Sequence, residues 1–290
     1  MLNLTKKVVV SLSVVTAIVL TGCTSTQSGS EKKEVVKTNS VLEAYSNIAL
    51  ANYSDSLKDA QALKVAIDTF AKNPTAENLK NAKIAWLVSR ESYGQTEIFR
   101  LANGPVDAEK GWVSETYGAK EGQINAWPLD ENMIDYTIDA EGKKTSGNII
   151  DTIGKFNPGG EESKEVDITK ITVDAITDLN ENGGDANVAS GYHAIEFLLW
   201  GQDQDYSNFL KDGITNGALV SGIRPLKDFT TDKNAARRLA YLQVASEKLV
   251  EDLTVIKSAW EKEISGTKGL YQAALKGELK GENASKNIES

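Results

Sequence analysis

The chain has a single histidine, His193, and three positions later a carboxylate, Glu196. Both stand in SGYHAIEFLLWGQD, residues 190–203, where almost every neighbour is apolar. On a helix, residues three apart are neighbours on one face. An imidazole nitrogen and one or two carboxylate oxygens are thus brought together. Around them, Tyr192, Ile195 and Leu199 form one apolar stripe, and Ala194, Phe197 and Leu198 another. A helix apolar nearly all round is a buried helix. A buried Glu196 then needs a cation, a proton or a metal.

Two readings of this pair stay open. Helical-bundle carboxylate metalloproteins place the same residue types three apart, in the order Glu-x-x-His. The alternative is a structural His–Glu hydrogen bond inside a core. A second candidate lies at 86–100, where Trp86, Arg90, Tyr93, Glu97 and Arg100 are spaced 4, 3, 4 and 3. That is one helical stripe mixing two guanidiniums, a carboxylate and two aromatic rings. The spacing predicts core-type residues Ile84, Leu87, Val88, Ile98 and Leu101 on its flanks. Its plain reading is a solvated face with a weak Glu97–Arg100 pair. A third candidate is NAWPLDENMIDY, 125–136. There Asp130 and Glu131 complement a helix dipole, or Asp130 or Asp135 supplies oxygens to a shared site.

The residue inventory restricts the enzymology. Zinc peptidases of the HExxH kind place two histidines on one helix, and this chain has one in total. A catalytic zinc would have to rely on carboxylates, against its usual preference. A Ser/His/Asp triad using Ser190 and His193 is formally open, but no nucleophile-elbow motif supports it. The only cysteine is Cys23, so no disulfide forms within the chain.

These groups must be positioned by helices. From Ser40 to about Lys72, apolar residues recur at helical spacing. Asn73-Pro74 breaks that run, and Asn73 or Thr75 can cap a second helix reaching about Ala102. A loop-rich stretch follows, then a short helical segment from Trp127 to about Ile138. Residues 139–166 read as loop, Ile168–Leu179 as a helix, and the His193 segment as a helix after Gly184 that Gly201 terminates. The last long helix spans about Asp232 to Ile264. Its near-heptad seam is Ala235, Leu239, Leu242, Leu249, Leu253, Ile256 and Trp260. No alternating strand pattern stands out, so the expected fold is an all-α helical bundle.

The N-terminus reads as a targeting segment: Lys6 and Lys7, then an apolar run from Val8 to Leu20 that is short for a membrane span. Leu20-Thr21-Gly22-Cys23 resembles a bacterial lipobox, which implies cleavage before Cys23 and its lipidation. Residues 1–22 are thus expected as a signal peptide, and 23–39 as a lipidated cysteine with a polar tether. Resemblance to sorting in Gram-negative lipoproteins implies that Thr24 after the cysteine slightly favours the outer membrane. A net charge of −9 argues against nucleic acid as a partner.

The blocks AWLVSRESYGQTEIFR, INAWPLDENMIDY, GYHAIEFLLWGQD and GIRPLKDFTTDKNAARRLAYLQVASEKLVEDL together resemble the imelysin family, whose signature is GxHxxE. Gly191, His193 and Glu196 match that signature. Trp86, Arg90, Tyr93, Glu97, Arg100, Trp127, Pro128 and Asp130 match further recurrent positions. The resemblance implies a helical-bundle domain over 40–265 in a cell-envelope lipoprotein that faces the periplasm and is linked to iron uptake, with iron-transport components as partners. It also carries a peptidase label. Its members continue into a second helical half. Here 266–290 is polar and lysine-rich, so most of that half is expected to be missing.

The expected metal, iron rather than zinc, falls to His193 and Glu196, with Glu97 and Asp130 as further candidates. Tyr93 is also a candidate to complete the shell. Arg90 and Arg100, with Tyr93, Trp86 and Trp127, are candidates to hold a ligand such as a carboxylate that chelates the metal. The alternatives are a metallopeptidase, or a lipid-tethered scaffold without an active site.

Overall fold

A computed structural model describes residues 38–139, 141–202, 222 and 224–288. The expected signal peptide, Cys23 and nearly all of the tether lie outside these residues. The architecture is all-α, as the periodicity predicts. Helix α1 (Thr38–Lys72) and helix α2 (Ala76–Gly94) form an antiparallel hairpin. Thr75 caps α2 by accepting from the Asn78 N–H at 3.2 Å. The long helix α8 (Ala235–Ala259) packs on α1 and on α7 (Gly191–Trp200), and α7 also meets α2. These four helices enclose the core.

The helix after Asn73-Pro74 is shorter than its pattern suggests. At Gly94 it tightens into a 3-10 turn, Gln95–Phe99. The region read as loop holds two small helices, α3 (Gly111–Tyr117) and α4 (Glu121–Ile124). The segment expected as a helix from Trp127 to Ile138 reduces to α5 (Glu131–Ile134). Helix α6 (Val173–Leu179) starts at the Thr172 cap. It starts later than expected because the chain is still extended at Thr172 (φ −129°, ψ 163°), while the Ile168 N–H bonds back to Gly154 O. One two-residue antiparallel ribbon pairs Lys155–Phe156 with Val166–Asp167.

Two faces differ from expectation. On α2 the buried line is Leu79, Ala82, Trp86, Ser89 and Tyr93. The flanking apolar residues Ile84, Leu87 and Val88 are exposed, as are Ile98 and Leu101 beyond the helix. In the first half of α1 the core side is built from Ser46, Ala49, Tyr53, Ser56 and Ala60, while Val41 and Ile48 are exposed. Small side chains let neighbouring helices approach closely, and that contact outranks side-chain hydrophobicity here.

The stretch expected as a polar tail joins the core as far as residue 288. Helix α9 (Leu270–Leu275) buries Leu270 and Tyr271, and Leu279 is buried after it. Tyr271 meets Trp260 edge-on, with ring centroids 4.9 Å apart.

Asp135 is not a free oxygen donor for a site. It is 1% exposed and sits between two buried guanidiniums, Arg224 and Arg238. Arg238 Nε donates to it at 2.7 Å. Arg224 in turn holds the end of α7: its backbone N–H donates to Trp200 O at 2.9 Å.

Candidate functional site

Helix α7 carries the signature, and its start explains the glycine. Gly191 has φ +79°, in the left-handed region. A Cβ there would collide with Ile124 O and stand 2.6 Å from Gln123 O. Helix α4 therefore lies against the first turn of α7 only because residue 191 lacks a side chain. Ser190 is part of the same junction. Its hydroxyl donates to Gln123 O at 2.9 Å and lies 3.2 Å from Asn180 Oδ1. These bonds tie it to the junction and not to His193, so it is not set up as a nucleophile.

Most of α7 is buried, but His193, Glu196 and Trp200 form one half-exposed line, spaced 3 and 4. The expectation of a buried carboxylate is thus corrected: the Glu196 side chain is 42% exposed and that of His193 17%. His193 Nδ1 and Glu196 Oε2 are 3.0 Å apart. The neutral tautomer with its proton on Nδ1 donates to this carboxylate. This leaves the Nε2 lone pair available, the arrangement by which carboxylates orient metal-binding imidazoles. The Trp127 ring lies 4.9 Å from the imidazole, centroid to centroid.

This line opens on a cleft of about 880 Å³. Trp86, Arg90 and Arg100 line it, with Glu121, Asn125, Trp127, Glu131, Glu181, Asp185, His193, Glu196 and Trp200. Five carboxylates face two guanidiniums, so the cleft attracts cations. Trp86 supports the wall from below. Its indole N–H donates to Tyr192 O at 2.9 Å, tying α2 to α7.

The two arginines of the stripe have different surroundings. Arg100 pairs with Glu121 at 2.9 Å and with Glu97 at 3.6 Å. Tyr93 donates its hydroxyl proton to the other Glu121 oxygen at 2.6 Å. Burial, and then the Glu121 charge, push the Tyr93 hydroxyl well above its ordinary range, which holds it as a donor to Glu121. Arg90 makes no ion pair among the described residues. Its guanidinium sits over the rings of Tyr93 and Tyr192, at 5.7 and 5.8 Å.

The structure does not bring all sequence candidates together. Glu97 lies among Arg100 and Asn125 outside the cleft lining. Asp130 is the N-cap of α5, accepting from the Asn132 N–H at 3.1 Å. Among the described residues no three His, Cys, Asp or Glu side chains gather as a metal cage. Sequence reasoning missed Glu121, Glu181 and Asp185, which sit in a four-residue helix and a loop without periodicity. Burial, and then Asp185, raise the Glu181 carboxyl above its ordinary value.

The family model described as Imelysin (Peptidase_M75) matches residues 49–287. The chain belongs to the imelysin family. Among similar proteins, the iron-regulated protein A of Synechococcus elongatus is 31% identical over 98 residues, 33% of this chain and 24% of that protein. A crystal structure of a putative iron-regulated protein A precursor from Parabacteroides distasonis aligns over 85% of this chain, with 21% identity and a TM-score of 0.47. The alignment spans 52% of that protein, so this chain covers about half the length of its solved relative.

Proposed function

We propose that this chain is a lipid-anchored, periplasm-facing module of the cell envelope that binds iron, or another metal ion, at His193, with Glu196 as the carboxylate that orients the imidazole, in the service of uptake. The observation that carries the reading is His193: its Nδ1 is engaged by Glu196 while Nε2 is unshared, in a cleft with an excess of carboxylates. Imidazole and carboxylate together suit iron, and suit zinc as well. The name of the Synechococcus elongatus relative, iron-regulated protein A, supports iron over zinc. Among the described residues no helix is long and apolar enough to cross a membrane. Attachment in this reading runs through Cys23, outside those residues.

The test is titration of Fe²⁺, Fe³⁺ and Zn²⁺ into the full chain in detergent, beside His193→Ala/Glu196→Ala. Stoichiometric binding that the double substitution abolishes is expected. Equal binding by both proteins removes the site and leaves the scaffold reading. Cleavage of an unstructured protein substrate, lost in the same variant, would promote the peptidase reading.

A further inference from the structure

The donor count of the cleft bears on the form in which a metal arrives, given the metal-binding reading above. With Glu196 engaged on Nδ1, the pair offers the metal one imidazole nitrogen, His193 Nε2, and no group of three His, Cys, Asp or Glu that could hold a metal forms among the described residues. Iron centres bound by side chains use three such groups and still keep open positions. The remaining donors must come from water or from the ligand itself.

Arg90 decides between these sources. It is half-buried on α2, lines the same cleft and has no acidic partner among the described residues. Arg100, by contrast, is neutralised by Glu121 at 2.9 Å. An uncompensated, partly buried cation is costly. The faces of Tyr93 and Tyr192 offset part of that cost and leave the guanidinium fork free. A free fork beside aromatic rings is a carboxylate receptor. Hydrated metal alone would leave it idle.

A ligand that satisfies both ends carries a metal and a carboxylate in one molecule. The other carboxylates of the cleft repel polyanions, so that ligand has little net charge. A volume of about 880 Å³ accommodates a small chelate. We propose that the cleft takes iron as a small polycarboxylate chelate of near-zero net charge, with the metal on His193 Nε2, which Glu196 orients through Nδ1, and a chelator carboxylate on Arg90.

The test is equilibrium dialysis of the full chain in detergent against ferric nitrilotriacetate, a neutral chelate, with the iron and the chelator carbon labelled separately. Fe²⁺ without chelator runs in parallel. Both labels are expected to be retained in equal amounts. Arg90→Gln should weaken retention of the chelate by about tenfold to a hundredfold. It should leave chelator-free Fe²⁺ binding within about twofold, since among the described residues Arg90 makes no hydrogen bond or ion pair with His193 or Glu196. Arg90→Lys, which keeps the charge but not the fork, should recover part of the loss. Iron retained without chelator carbon, or undiminished retention by Arg90→Gln, overturns the chelate proposal and leaves the metal reading standing. So does retention of Fe²⁺ alone with neither chelate label. Retention of neither iron form overturns both.

Discussion

Replacing Gly191 with alanine tests how the signature is built, because the structure supplies its own control. At φ +79° an alanine incurs backbone strain of about 1–2 kcal/mol. It would also drive its methyl into the Gln123 and Ile124 carbonyls, an overpacking cost of about 1–3 kcal/mol. Together these give roughly 2–5 kcal/mol. Gly147 has a similar φ, +84°, but a Cβ placed there would meet nothing within 4 Å. Gly147→Ala should therefore cost only the strain, about 1–2 kcal/mol. Urea unfolding followed by circular dichroism reads both variants. The denaturation midpoint of Gly191→Ala should fall clearly below that of Gly147→Ala, with unchanged slope. In a domain of this size each kcal/mol also lowers Tm by about 2–4 °C. Equal costs for the two alanines would show that α4 yields easily, and that the glycine is not the point where α4 and α7 interlock.

Other outcomes follow from the same structure. Asp135→Ala removes the shared acceptor of Arg224 and Arg238, and should destabilise by about 3–5 kcal/mol in urea unfolding; a loss below about 1 kcal/mol would mean that Asp228 and Asp232 suffice. Glu181→Gln should matter in a pH-dependent way. The folded protein holds this carboxyl above its ordinary value, so its favourable contribution is complete at low pH and is lost as pH rises through the raised value. The variant should thus melt higher than the parent at about pH 7 and level with it at about pH 4; a pH-independent difference would contradict the burial argument.

The long helices are legible in the sequence because α1 and α8 run for many turns with a repeated apolar period, and Thr75, Asn73-Pro74 and Gly201 mark boundaries. The His193–Glu196 contact follows from three-residue spacing alone. The cleft walls do not follow. Helix α4 is too short to show a period, and Glu121 enters the site through the packing of α4 against Gly191, a contact across the fold. Burial on α8 is also obscured: Arg238, Lys248 and Asp252 look like a wet face, yet are buried because Asp135, Asp232 and each other satisfy them. Along α2, a polar Ser89 faces inward since its hydroxyl meets that of Tyr192 at 2.8 Å, while Leu87 and Val88 face out. Hydropathy cannot rank those positions without the partner helix.

The contact between Trp127 and His193 gives the protein an optical reporter of its own. Trp127 is 58% exposed, whereas Trp86 and Trp260 are buried. A water-exposed indole emits to the red of a buried one, so Trp127 is the expected reddest emitter of these three. With its ring 4.9 Å from the imidazole, it stands within contact-quenching range of a paramagnetic ion held there. Paramagnetic iron bound as proposed at His193 would thereby be expected to dim the fluorescence of the unlabelled chain.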